Sequence, residues 1–495
     1  MSTPFQIALA DARDPLVLAL DVGSTASRGA LFDSTGRPIK GRKKVFHSFT
    51  AADDGTSEID PDQVTSEIAL LIDELAGPDA KAAGRIRGVA FDTFASSMVA
   101  IDADNRALTP CYTYADGRCF AEAAELREEL DESTVQQRTG TRVHTSYLAP
   151  RLRWLARTRP DVFAKAARFV SLGEYVQLQL LGHTAAGTPT ASWSGLLDRR
   201  EGVWDAELLR AAGIDESRLS PIQDPQVALP RPGAAARNRW PALAEVPWFP
   251  AIGDGLGNNL GTGARDSNVI GCGAATSGAM RLVVPGQPDL PPGLWAYRID
   301  SGRSLLGGAL TDVGRVFSWL AAGIAAGLEG EFDAILGRDP QAGTPSVAPF
   351  LTGERSTGWA ARAKLVMADV TAAHTPSDLV RGAAEGLAVS YVRIAEQLRA
   401  VAPEASRVVA SGSVTGQYPR FLQVLADAMG APVEHVELKR STLLGTALLA
   451  LEAVAPEVER AVPPVTATYE PRPGFADYYA GVRARFEDLY PVSIG

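Results

Sequence analysis

Apolar residues run unbroken through LVLAL (16–20) and stop at Asp21 and Gly23. A short apolar run ended by turn residues is the pattern of a strand buried on both faces. After the polar stretch Gly23–Ser27, RGALFD (28–33) predicts a second strand, closed by Asp33-Ser34-Thr35-Gly36. SEIALLIDELAG (66–77) has apolar positions at helical spacing, while RIRGVAFDTF (85–94) and SMVAID (97–102) predict further strands. Residues 118–181 are expected to be mostly helical, from the periodicity of RLRWLARTRPDVFAKAARFV. Proline and glycine from Pro221 to Pro250 weaken that pattern and mark the expected passage between two halves.

IGCGAATSGAM (270–280) then repeats the opening motif, leading through small and hydroxyl residues into strand-like RLVV. Laid over LDVGSTASRGA without a gap, it puts Gly273 on Gly23 and Ser277 on Ser27. Two readings stand: two unrelated strand turns, or two related α/β halves, each offering a hairpin turn towards a common cleft. A chain of 495 residues is too long for one ordinary core, so two large domains are expected.

Composition narrows the partners. Hydrophobic residues at 46% and charged residues at 21% are typical of a soluble globular protein. A net charge of −10 without a long basic block disfavours nucleic acid or an anionic membrane, but leaves open a small anion held by backbone amides. Cys111, Cys119 and Cys272 make no disulfide framework and lack zinc-type spacing with histidine. The first residues lack the basic start and apolar run of a signal peptide, and FSWLAAGIAAGL (317–328) is too short to span a bilayer. A cytoplasmic protein is the expectation.

A phosphate site needs backbone N–H groups clear of side chains, and a nearby carboxylate can hold Mg²⁺, a hard cation that prefers oxygen. DVGSTASR (21–28) supplies glycine, hydroxyls and a carboxylate together. It is neither a P-loop, since GxxxxGK[ST] is absent from the chain, nor a dinucleotide fingerprint, since a strand follows the turn. The competing reading is a solvated hairpin turn capped by Asp21. In FPAIGDGLGNNLGTG (249–263), Asp254 ends an apolar approach and is followed by a glycine-rich segment that could start a helix. There it is either a helix N-cap or a carboxylate placed to take a proton from a substrate hydroxyl attacking a γ-phosphoryl group.

Seven segments in order resemble one family, the FGGY carbohydrate kinases of the actin/hexokinase/Hsp70-like superfamily. LALDVGSTASRGALFD resembles its first phosphate motif, VIGCGAATSG its second, and GDGLGNNLGTG its Gly-Asp motif. PFLTGERSTGWAARA (349–363) resembles its PFLxGERxPxW segment with Thr357 where proline is usual, and DLVRGAAEGLAVS (378–390) the helix after it. SGSVTGQYPRFLQVLADAMGAPV (411–433) resembles the adenosine-side segment, with Ser411 where many relatives have glycine, and STLLGTALLA (441–450) the closing helix.

The resemblance implies two actin-like (ribonuclease H-like) α/β domains, each a mixed sheet flanked by helices, over 1–248 and 249–495, with a central cleft. It implies ATP and Mg²⁺, with Asp21 towards the metal, Gly23, Ser24, Thr25 and Arg28 on the γ-phosphate turn, and Asp254 as general base. Thr276, Ser277 and Gly278 would form the opposing turn, and Gly412 and Ser413 would lie against adenosine.

For the acceptor, TPCYTYADGR (109–118) resembles the family's WADxR segment with Tyr114 for tryptophan, making Asp116 and Arg118 contacts to hydroxyls or a carboxylate. A plain turn at Asp116-Gly117 remains the alternative. GTRVHTSYLAPRLRWL (140–155) and SLGEYV (171–176) resemble gluconate-kinase-like members, adding His144 and Glu174, with a structural hydrogen-bonding role for His144 as the alternative. Two departures weigh against gluconate: Ala95-Ser96 stands where relatives have Met-His, and Gly173-Glu174 where they have Lys-Glu. The expected activity is phosphorylation of an open-chain sugar, sugar acid or polyol, gluconate slightly ahead of xylulose. An actin-like assembly protein and a catalytically silent sugar sensor are the alternatives, and a homodimer is the base expectation for a soluble enzyme.

Overall fold

A computed structural model describes residues 5–495. The chain divides into two compact units. The first runs to Gly261 and adds residues 296–304 and 440–462; the second comprises 262–295, 305–439 and 463–495. This division does not coincide with a cut at 248/249, and Asp254 belongs to the first unit.

The first unit is organised on a five-stranded sheet: β1 (Leu16–Val22), β2 (Ala26–Phe32), β3 (Lys43–Phe46), β4 (Ile86–Thr93) and β5 (Ile252–Gly253), in the order β5-β4-β1-β2-β3. β1 is buried at every position, as its unbroken apolar run requires. It forms an antiparallel hairpin with β2 and runs parallel to β4, which runs parallel to β5. Helix α1 (Pro61–Ala76) starts at Asp60, whose carboxylate accepts from the Asp62 and Gln63 amides, and covers β2.

Residues 221–250 are not a passage between units. Leu243, Val246, Trp240 and Trp248 are buried in the first core, and Trp248 bridges to Val89 of β4. Aromatic and apolar residues among the prolines gave this segment a core to join. Helices α2 (Asp254–Gly261) and α3 (Ser441–Val454) close the unit. They approach so tightly that a Cβ on Gly445 would lie 1.9 Å from the Gly257 carbonyl oxygen, and one on Gly261 1.7 Å from that of Ser441.

The second unit contains β6 (Val269–Ala274), β7 (Gly278–Pro285), β8 (Arg303–Leu310, from Leu305 onwards), β9 (Arg407–Ser411), β10 (Val433–His435) and β11 (Ala467–Tyr469), in the order β8-β7-β6-β9-β10-β11. Its first five strands repeat the order of the other sheet. Phe317, Phe332, Tyr418 and Phe421 pack ring against ring within it.

The repeat is real in topology, but its register differs from the gapless overlay. Asp21 pairs with Asp92 and Arg28, whereas Gly273 pairs with Ser411 and Ala279. Gly273 therefore takes the place of Asp21, not of Gly23, and the second turn is one residue shorter. The three cysteines are buried and unpaired, and burial pushes the Cys111, Cys119 and Cys272 thiols up to about 12, 11 and 12. No helix among the described residues is long and apolar enough to cross a membrane.

Candidate active site

The C-terminal ends of adjacent parallel strands are where an open α/β sheet presents its loops to ligands. In the first unit these ends carry three carboxylates. Asp21 lies on β1 directly beside Asp92 on β4. Ile252 of β5 is in register with Asp92 on its other side, and Asp254 follows as the first residue of α2. Asp21 is 4% exposed and Asp92 fully buried. Arg28, opposite Asp21 on the hairpin, donates to its carboxylate at 2.8 Å and to Thr25 Oγ1 at 3.3 Å.

Asp92 is a member of this group that the sequence analysis did not single out. Thr446 Oγ1 of α3 donates to its Oδ2 at 2.6 Å, but its buried Oδ1 has no hydrogen-bond partner. Burial, followed by the negative charge of Asp21, pushes the Asp92 carboxyl well above the usual carboxylate range; Asp254 adds to the rise and the Thr446 bond opposes it. An unpartnered carboxyl oxygen beside a second carboxylate suits either a shared proton or a hard cation. Mg²⁺ takes one or two carboxylates and leaves its remaining positions to water and phosphate, so the pair fits it. Among the described residues no set of three or more His, Cys, Asp or Glu side chains is arranged to cage a metal alone.

The turn Gly23–Ala26 projects beside these acids. The Gly23 amide donates to the Ala26 carbonyl at 3.1 Å, and Ser24 and Thr25 are exposed at the apex. A Cβ at Gly23 would stand 2.5 Å from Arg28 Nη1, so glycine is what lets the guanidinium lie against the turn.

The residues expected to bind the acceptor fall into separate groups. Asp116 is 1% exposed and accepts from the Ser57 amide at 3.1 Å and from Arg118 Nη2 at 2.6 Å. Arg118 also donates to Glu58 at 2.5 Å and lies 4.5 Å from the Trp154 ring centre. Burial alone would lower the Arg118 pKa, but bonds and charges from Asp116 and Glu58 raise it overall. Ser96 sits at φ +57°, with its hydroxyl on the Trp193 carbonyl at 2.7 Å and its own carbonyl accepting from the buried Arg151.

Glu174 closes a capping box with Ser171 at the start of helix Leu172–Leu181. Ser96 and Glu174 both line a cavity of about 20 Å³, room for one or two waters. His144 Nδ1 accepts from the Ser146 amide at 3.1 Å. Gly173 starts that same helix so close to the sheet that a Cβ would meet Ala251 at 2.5 Å, a packing reason for the absence of lysine.

In the second unit, Thr276 and Ser277 are exposed on the β6–β7 turn, whose Ala275 amide donates to Ser277 at 2.9 Å. A Cβ on Gly278 would strike the Tyr391 hydroxyl at 2.2 Å. Gly412 has φ +123° and would put a Cβ 2.2 Å from the Ala274 carbonyl oxygen, so no other residue fits there. Ser413 follows it at the start of a short helix.

The N-terminal domain of the FGGY family of carbohydrate kinases matches residues 16–261, and its C-terminal domain matches 280–454. A gluconokinase of Bacillus subtilis (strain 168) is 25% identical over 452 residues, spanning 88% of this chain and 87% of its own. A xylulose kinase of Escherichia coli (strain K12) is 23% identical over 459 residues, spanning 89% and 91%. The crystal structure of gluconate kinase from Lactobacillus acidophilus superposes with a TM-score of 0.89 at 22% identity, covering 97% of this chain and 98% of that one. With both domains matched in order, the chain belongs to the FGGY family of carbohydrate kinases.

Proposed function

We propose that the protein transfers the γ-phosphoryl group of ATP to a hydroxyl of a small open-chain sugar, sugar acid or polyol. The observation that carries this reading is the row Asp21, Asp92, Asp254 on three adjacent strand ends beside the Gly23–Ala26 turn. In the proposed reaction Asp254 accepts the proton of the acceptor hydroxyl while its oxygen bonds to the γ-phosphorus. The bond from that phosphorus to the β–γ bridging oxygen breaks, and ADP leaves with the electron pair. Asp254 needs no raised pKa for this, because a loose transition state calls for the proton late and positioning does most of the work.

In the first unit Ser24 and Thr25 would donate to a phosphate of the nucleotide on the turn that Gly23 opens, with Arg28 neutralising charge; in the second unit Thr276, Ser277 and Gly278 would form a phosphate turn of their own, and Gly412 and Ser413 would face adenosine. Mg²⁺ would be held by Asp21 with Asp92 and would neutralise phosphate charge.

Gluconate is placed first among acceptors, supported by the 25% identity to a gluconokinase over 88% of the chain. Against it stands the acceptor cluster itself: Arg118 is shared by Asp116 and Glu58, so the trio brings no surplus positive charge to a carboxylate. A xylulose-like neutral acceptor is the second reading on that ground. The test is ADP release with gluconate, xylulose, ribulose, glycerol and small polyols, repeated with Asp254→Asn. The variant should lose about 10²–10⁴-fold in kcat; parental turnover would remove Asp254 from the mechanism.

A further inference from the structure

Behind the turn lies a second polar cluster that the proposed reaction does not use. β3 pairs with β2 and delivers the next residue, His47, over the back of the Gly23–Ala26 turn. The His47 backbone amide donates to the Thr25 carbonyl at 3.2 Å. Its ring Nε2 lies 2.7 Å from the Gly23 carbonyl oxygen, and its Nδ1 lies 2.8 Å from Glu67 Oε2 on α1. A carbonyl can only accept, so Nε2 carries a proton whatever the state of the other nitrogen.

Glu67 is itself held. Its Oε2 also accepts from Ser27 Oγ at 2.7 Å, and its Oε1 from Gln63 Nε2 at 3.0 Å. The imidazole is fully buried, Glu67 is 5% exposed and Ser27 fully buried. One residue thus ties two carbonyls of a four-residue turn, and a carboxylate on a helix sets the angle of its ring. With the Gly23 and Thr25 carbonyls drawn inwards, the peptides they belong to are fixed, and so are the amides of the residues that follow.

We propose that His47, oriented by Glu67, is a positioning residue that pre-organises the Gly23–Ala26 turn for the terminal phosphate of the nucleotide. The inference rests on the phosphate reading of that turn. His47 does not touch substrate in this scheme. It acts by sparing the turn an ordering cost on binding, so its loss weakens phosphate affinity rather than acceptor affinity.

The test is calorimetric titration of the whole protein with ATP, ADP and adenosine, together with acceptor KM. Four forms are compared with the parent: His47→Ala, His47→Gln, Glu67→Gln and the double variant Ser24→Ala/Thr25→Ala. His47→Ala should weaken ATP about tenfold or more, with adenosine binding and acceptor KM within about twofold; one hydrogen bond of this kind supports that size. Glu67→Gln should shift the same way by less, and His47→Gln, which keeps an amide donor for Gly23, should recover most of the loss. Weakening of ATP in the Ser24/Thr25 variant, with His47→Ala and Glu67→Gln at parental affinity, would overturn the positioning role and leave the phosphate turn standing. Parental ATP binding in the Ser24/Thr25 variant would overturn both. A loss spread equally over ATP, adenosine and acceptor would make the cluster a general support of the fold and overturn the proposal.

Discussion

Replacing Gly445 by alanine tests whether the α2–α3 contact aims the carboxylates proposed to be catalytic. The added methyl carbon would stand 1.9 Å from the Gly257 carbonyl oxygen and 2.8 Å from the Gly261 nitrogen, both backbone atoms that cannot rotate away. Restoring ordinary contact at 3.4 Å needs the helices to part by about 1.5 Å. Overpacking of this kind costs about 1–3 kcal/mol.

The functional effect should exceed the stability effect. Thr446, the next residue, holds Asp92 at 2.6 Å, and Asp254 opens α2 three residues before Gly257. A shift larger than half that hydrogen-bond length separates Thr446 from Asp92 and swings Asp254 with its helix. Misplacement on the ångström scale can lower a rate about 10²-fold. The assay pairs urea denaturation with steady-state kcat on the preferred sugar, using Gly84→Ala as control because a Cβ there meets nothing within 4 Å. A Gly445→Ala protein with parental kcat, or one no less stable than Gly84→Ala, would refute the reasoning.

Asp92→Asn should change how stability depends on pH. With its folded pKa raised, the parent binds more protons folded than unfolded between the unfolded carboxyl value, about 3.9, and the higher folded one. Its stability therefore falls as pH rises through that window, by up to about 1.4 kcal/mol per pH unit, and asparagine should remove this slope; identical slopes in denaturant midpoints from pH 4 upwards would count against it. Arg118→Lys keeps the charge but loses the planar fork that meets both Asp116 and Glu58. Acceptor KM should rise about tenfold with ATP KM unchanged, and an equal rise in both would detach Arg118 from the acceptor.

Much of the candidate site is legible in the chain because it is local. An apolar run stopped by an acid and glycine marks the β1–β2 hairpin, and the glycine-rich start after Asp254 is the helix expected there. What escapes is set by sheet order. Asp92 ends an apolar strand just as Asp21 does, a usable signal, but only the parallel pairing of β1 with β4 makes them neighbours. The His47–Glu67–Ser27 cluster joins residues 20 and 40 positions apart, just after β3, on helix α1 and in β2, and no periodicity reports that. The overlay of the two turns was misaligned because small residues match easily without a gap, whereas strand register fixes Gly273 opposite Ser411. The Pro221–Pro250 segment misled because its prolines outweighed the large apolar residues that bury, Leu229, Trp240, Leu243, Val246 and Trp248 among them.

The first unit is assembled from distant parts of the chain, and this bears on its birth at the ribosome. Its sheet is complete once Gly261 has emerged, yet α3, with Thr446 and the glycine seam against α2, begins at Ser441. About 180 residues intervene, most of them belonging to the other unit. At roughly 5–20 residues per second, the nascent sheet waits some ~10–40 s with that flank uncovered. Domain-by-domain folding in order of synthesis is therefore closed to this protein: its amino-terminal half matures only after most of its carboxy-terminal half has been translated.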